Sequence, residues 1–207
     1  MLFEHLPSEL LLEIFSYVHP ADLYIIFLRL GNARLADLIS HLDLSVDLIS
    51  ISYSRFRSIL TACSPLQIIF LRLTNRYSHQ LLIKEFFSSD CFHPTKFLRL
   101  RSLHLDDCIG NEIVCLPPNL EKLYVKFHKK ARYAIQFYRI ALQSTSLKQC
   151  YLIGGYAFDY RTCSPIASTT IEHLHMAMKT FPNDLIIVLQ ALPNLLKLKS
   201  RDEIRPD

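Results

Sequence analysis

The stretch Leu100-Arg101-Ser102-Leu103-His104-Leu105-Asp106-Asp107-Cys108 decides the fold. Leu103 and Leu105 alternate with polar residues, which is the period of a strand that buries one face and leaves the other to solvent. The same phrase returns along the chain. Leu120, Leu123 and Val125 follow Pro118-Asn119, Leu147, Cys150 and Leu152 follow Thr145-Ser146, and Ile171, Leu174 and Met176 follow Thr169-Thr170. Leu195 and Leu198 close the series after Pro193-Asn194, and an earlier copy is read as Leu66, Ile69 and Leu71 after Ser64-Pro65. Most intervals lie near the roughly 20–29 residues of a short repeating unit.

Between the phrases, apolar residues fall at helical spacing over residues 77–87, 131–143 and 183–191. Strand, helix and strand in succession predict an α/β fold with a parallel sheet and helices on one side of it. Residues 40–60 form the approach to this body. Leu42, Leu44 and Val46 alternate like a short strand, and residues 54–62 read as a helix that ends before Ser64-Pro65. No Pro/Gly/Ser-rich linker precedes them, so a rigid joint to the N-terminal segment is expected.

The repeating phrase resembles leucine-rich repeats of the kind found behind many F-boxes. That resemblance implies a short solenoid whose units touch only their neighbours, with helices on the convex side. It also assigns the side chains between the buried positions to the concave face. The central column is then Phe70, His104, Tyr124, Tyr151, His175 and Lys199. Ile68 and Arg72, Ser102 and Asp106, Lys122 and Lys126, Gln149 and Ile153, His173 and Ala177, and Lys197 and Arg201 flank it. Tyr and cationic side chains on such a wall are suited to binding. The expected target-binding set is His104, Lys122, Tyr124, Lys126, Tyr151, His173, His175, Lys197 and Lys199, with an acidic or phosphorylated protein as the fitting partner.

The N-terminus carries a second pattern: Leu6-Pro7-Ser8-Glu9-Leu10-Leu11-Leu12-Glu13-Ile14-Phe15-Ser16-Tyr17-Val18, then Pro20 and Asp22-Leu23. Leu11, Ile14, Phe15 and Val18 make one apolar stripe on a helix, and Leu10, Leu12 and Tyr17 are left over on other faces. Such surplus points to a partner surface. Ser8 is the expected helix cap, Pro20 the stop, residues 22–29 a second helix, and Asn32 the cap of a third that runs to about residue 39.

This segment resembles an F-box, matching at Leu6, Pro7, Glu9, Leu10, Leu11, Glu13, Ile14, Phe15, Tyr17, Pro20, Asp22 and Leu23. The resemblance implies a three-helix module over residues 1–41 that docks on the Skp-type adaptor of a cullin-RING (SCF-type) ubiquitin ligase. Leu6, Pro7, Glu9, Leu10, Leu11, Ile14, Phe15, Val18 and Leu23 would build that module and its contact surface. Residues 42–207 would be the substrate-binding region.

Composition narrows the alternatives. Half of the 207 residues are hydrophobic, enough for a sizeable core, and four glycines are few for a phosphate-cradling loop. The net charge of +4, with no arginine-rich run, makes nucleic acid the least favoured partner. The apolar run over residues 23–28 ends at Arg29 and is too short to span a bilayer. No signal peptide is visible. The six cysteines show no paired spacing and read as reduced thiols, so a cytoplasmic or nuclear location is expected. Zinc-type Cys pairs, a Walker loop, dinucleotide glycines and a Gly-x-Ser-x-Gly elbow are missing. His173-x-His175 supplies two imidazoles without a third metal ligand, and Asp106-Asp107 and Asp202-Glu203 read as solvated turns.

The expected protein is therefore a non-catalytic receptor without cofactor or metal. An interaction scaffold outside any ligase is the second reading, and a nucleic-acid-binding repeat protein the third. Residues 201–207 are a thin closing element for a solenoid: either they cover that edge poorly, or a partner covers it, or the sequence is truncated there.

Overall fold

The computed structural model describes residues 3–20, 22–23, 31–49, 52–75, 81–89, 93–109, 112–128, 134–154, 170–177 and 192–200. Each apolar phrase becomes a strand: β1 (Leu44–Asp47), β2 (Ile68–Thr74), β3 (Ser102–Cys108), β4 (Lys122–Phe127), β5 (Gln149–Ile153), β6 (His173–Ala177) and β7 (Lys197–Ser200). The seven strands form one sheet in chain order, β1 to β7, and every neighbouring pair is parallel. A parallel neighbour requires the chain to return to its starting edge each time. Helices make that return after β1 (α3, Tyr53–Ala62), after β2 (α4, Leu81–Ser88) and after β4 (α5, Ala134–Leu142). Between β3 and β4 the link is short and carries Pro117-Pro118, which lack the amide donors a helix needs, and its described residues hold no helix. The expected helix over residues 183–191 lies outside the described residues.

The register stacks the phrases on one another. Leu71, Leu103, Leu123, Cys150, Leu174 and Leu198 lie in one row across the sheet; Leu73, Leu105, Val125, Leu152 and Met176 lie in a second. All but Leu198, which is half-buried, are out of solvent. Burying a Leu of this kind contributes on the order of 1.5–3 kcal/mol, so the two rows hold the sheet to its helices.

The first repeat phrase is displaced from its expected register. Leu71 pairs with Leu103, so the buried set of β2 is Ile68, Leu71 and Leu73, and Leu66 is 49% exposed. The open-face side chains of β2 are therefore Phe70, Arg72 and Thr74. Arg72, not Phe70, begins the central column, and the flanks are Phe70 and Thr74 instead of Ile68 and Arg72.

At the N-terminus α1 spans Ser8–Tyr17 and α2 spans Ala33–Ser40. Asn32 caps α2 as expected, its Oδ1 accepting from the Leu35 amide at 3.2 Å. Ser8 does not cap α1. Pro7 holds the cap position without a side-chain bond, and the Ser8 hydroxyl accepts from Arg34 at 3.1 Å. Arg34 also donates to the carbonyls of Glu4 at 2.6 Å and Leu6 at 2.8 Å, fastening the chain before α1 onto α2. Asp22 and Leu23 are helical; the rest of the expected second helix lies outside the described residues.

Helical segment and sheet share one continuous core running from Leu11 and Phe15 through Leu35, Ile39, Val46 and Phe56 into the strands. Polar ties reinforce the junction. Buried Gln67 donates to the Ile39 carbonyl at 2.7 Å, Arg99 pairs with Asp43 at 2.6 Å, and the His19 ring meets the Asp47 carbonyl at 3.2 Å. No helix among the described residues is long and apolar enough to cross a membrane.

Candidate functional site

Two surfaces carry the residues singled out from the sequence. The first is α1. Its inner stripe, Leu11 and Phe15, is buried together with Leu23, and Phe15 lies against Phe3 with ring centroids 6.3 Å apart. Leu6 and Val18 pack half-buried at the margin, and Pro7 and Glu9 are exposed. On the outer side Leu10 is 46%, Ile14 37% and Tyr17 83% exposed. These three follow at intervals of four and three residues, so they line up along one helix face. Ile14 thus belongs to the outer stripe and not to the inner one expected for it. Three large side chains in line on one helix are more than scattered surface apolarity.

The second surface is the side of the sheet that the helices leave open. Its central column reads Asp47, Arg72, His104, Tyr124, Tyr151, His175 and Lys199, each in register with the next. One flank reads Phe70, Ser102, Lys122, Gln149, His173 and Lys197, and the other Thr74, Asp106, Lys126, Ile153 and Ala177. All nine expected target-binding residues therefore share one face. Their rings form a continuous spine. His104 stacks on Tyr124 at 5.2 Å, Tyr124 meets Tyr151 at 6.4 Å, and Tyr151 meets His175 edge-on at 5.9 Å. Phe70 closes the near end against His104 at 4.9 Å.

The electrostatics differ between the two ends. At the β1–β3 end the Arg72 guanidinium bonds Asp106 at 2.9 Å and lies 3.8 Å from Asp47. Asp106 is thus an ion-pair partner, not part of a solvated turn; Asp107 beside it takes a positive φ of 63°, where the β3 register shifts. Burial, and then Arg72, hold the His104 imidazole below its ordinary value, against the pull of Asp106 and Asp47. Burial, and then Asp106, push the Tyr124 phenol up. At the other end Lys122, Lys126, Lys197 and Lys199 are exposed. A depression of about 310 Å³ lies there, lined among others by Tyr151, His173, His175, Lys197 and Lys199.

One row escaped the sequence reading. Arg101, Glu121, Lys148 and Glu172 stand immediately before β3, β4, β5 and β6, joined in order by amide-to-carbonyl bonds of 2.9 Å each. Arg101 reaches Glu121 at 3.2 Å and Lys148 reaches it at 3.8 Å. Their signal was present as a charge of alternating sign at a fixed offset, two residues ahead of each buried Leu or Cys.

His173 and His175 do fall on one face, but the described residues hold no group of three or more His, Cys, Asp or Glu fit for a metal ion. Cys63, Cys108 and Cys150 are buried, Cys115 is half-buried, and no disulfide joins them. The chain matches no protein-family model, and no curated protein is significantly similar to it in sequence.

Proposed function

We propose that the chain is a non-catalytic receptor subunit of a cullin-RING ubiquitin ligase, an F-box helical module joined to a leucine-rich-repeat body. The N-terminal helices hold a Skp-type adaptor, and the open face of the sheet captures a target protein. The observation that carries this reading is the double-sided α1. Leu11 and Phe15 fix it to the core, while Leu10, Ile14 and Tyr17 point away from the molecule. A helix needs only its inner stripe to fold, and the outer one is available to a partner. The strand order supports the second half of the proposal, because strands that pair in chain order are what stacked repeats produce. A body tied to the docking helices through Gln67 and Asp47 holds its captured target at a fixed distance from the adaptor, and catalysis by the assembly becomes a matter of effective concentration.

The test is a pull-down of the full chain with purified Skp-type adaptor. Leu10→Asp combined with Ile14→Asp should abolish capture and leave the circular dichroism spectrum and melting temperature unchanged, since both residues lie at the surface. Capture of the doubly substituted chain at wild-type level refutes the docking surface.

A further inference from the structure

The core is sealed at one end of the sheet and open at the other. On β1, Leu44 and Val46 are out of solvent. β7 pairs with β6, and among the described residues no strand lies on its outer side. Ile68, Leu100, Leu120, Leu147 and Ile171 stand at one offset of the repeat and are fully buried, whereas Leu195 at the same offset is half-buried. Leu198 ends its own buried row half-buried. Leu196 takes the rim position that holds Arg101, Glu121, Lys148 and Glu172 in earlier units, and it is 78% exposed. Apolar surface is thus gathered on an edge strand, where it invites a further strand. The main chain agrees. Alternate residues of a parallel strand bond to alternate sides. The Lys197 amide is committed to β6 through the Glu172 carbonyl at 3.0 Å, so Leu198 turns its N–H and C=O outward.

We infer that β7 takes up, as a further strand, an extended segment of a partner protein that alternates acidic and aliphatic residues. Lys197 and Lys199 stand on the open face and Leu198 on the helix side. In either strand direction, residues opposite the lysines project beside them, and the residue opposite Leu198 covers it. Carboxylates at the first positions meet ammonium groups, and an aliphatic side chain at the second completes the core row. The carboxylates already near this end, Glu172 at the rim and Asp106 on β3, lie inward of β7, so the outer flank of both lysines faces the incoming strand. A second copy of the chain is the wrong occupant. The antiparallel register that seats Leu198 on its copy sets each Lys197 against a Lys199. A slip of two residues sets identical lysines face to face, and like charges opposite one another repel. Edge lysines keep identical edges apart and leave the position to a strand of opposite charge. The inference goes beyond the receptor reading, because it concerns the edge of the sheet and not its open face or α1.

The experiment uses the full chain and three fluorescein-labelled probes read by anisotropy. They are the peptide Thr-Glu-Val-Glu-Val-Glu-Thr, its twin with lysine for glutamate, and the acidic peptide with its amides N-methylated. Wild-type protein should bind the acidic peptide about tenfold more tightly than the lysine twin. It should not bind the N-methylated form, which keeps the carboxylates and lacks the donors of a strand. Lys197→Glu with Lys199→Glu should invert the preference. Both side chains are exposed, so folding should survive, with circular dichroism as the check. Lys84→Glu, on the outside of α4, should leave the preference as in wild type. No binding of the acidic peptide, equal binding of its N-methylated form, or an uninverted preference in the folded double variant overturns the inference. So does a wild-type dimer in light scattering that Leu198→Asp dissociates, because the edge then belongs to a second copy. The peptide comparisons on wild-type protein settle the outcome even where the double variant fails to fold.

Discussion

Replacing Gln67 by Met tests whether the helical segment and the sheet are joined through one buried amide. Gln67 is 6% exposed. Its Nε2 donates to the Ile39 carbonyl at 2.7 Å, and its Oε1 accepts from the Ser64 amide at 3.1 Å. Met keeps the volume and removes both bonds. The cost depends on what the abandoned groups do next. The Ile39 carbonyl still accepts from the Leu42 amide at 3.2 Å, and Ser64 is exposed, so water reaches its N–H. Neither group is stranded, and each lost bond therefore counts at its net worth of about 1 kcal/mol instead of the larger penalty for an orphaned group. The sum is about 2 kcal/mol, or a fall in Tm of about 4–8 °C for a chain of this size. Scanning calorimetry of the two proteins measures it. Ser64→Ala serves as a comparison: it removes the cap hydroxyl, which accepts from the Leu66 amide at 3.4 Å and from the Gln67 backbone, for about 1 kcal/mol. A Gln67→Met variant that melts within 1 °C of wild type (below about 0.5 kcal/mol), or no lower than Ser64→Ala, would show that the amide does not hold the joint.

His104 is held below its ordinary value of about 6.5 in the folded chain, so the unfolded chain takes up its proton first as pH falls. Its contribution to stability is then complete above that unfolded value and declines as pH drops through it toward the folded one. Urea midpoints at pH 7.5 and pH 5 should differ more for wild type than for His104→Asn, and an identical difference in both refutes the assignment. Burial pushes the Cys150 thiol up to about 12, so iodoacetamide at pH 8 should leave Cys150 unmodified in the native protein and alkylate it in urea. Peptide mapping reads this directly, and native alkylation of Cys150 as fast as Cys115 would place the β5 side chain on the wrong face.

The sheet was legible wherever the apolar phrase had one phase only. Around Leu103, Leu123, Cys150 and Leu174 the residues on either side are polar or aromatic, and alternation assigned both faces as the structure has them. The failure at β2 has a physical cause. Residues 66–73 carry aliphatic side chains in two overlapping sets, Leu66, Ile69 and Leu71 or Ile68, Leu71 and Leu73, and either satisfies the phrase. What separates them is Arg72, which in the second set lands between Asp47 and Asp106. Those carboxylates come from other strands, and no pattern within one strand contains them. The Ser8 cap failed for a similar reason: its hydroxyl is occupied by Arg34, which lies on another helix. Sequence spacing found the nine face residues as a set, but the ring spine and the division of charge between its ends arise from cross-strand register, which only the assembled sheet defines.

The rim row Arg101, Glu121, Lys148, Glu172 also limits how such a chain can lengthen. Duplicating one unit would set two arginines, two glutamates or two lysines side by side at strand spacing, where like charges repel. Duplicating two consecutive units preserves the order of signs. Growth of this protein by internal copying is therefore expected in even steps, and a lineage that gained a single unit should show a compensating change of sign at the same offset.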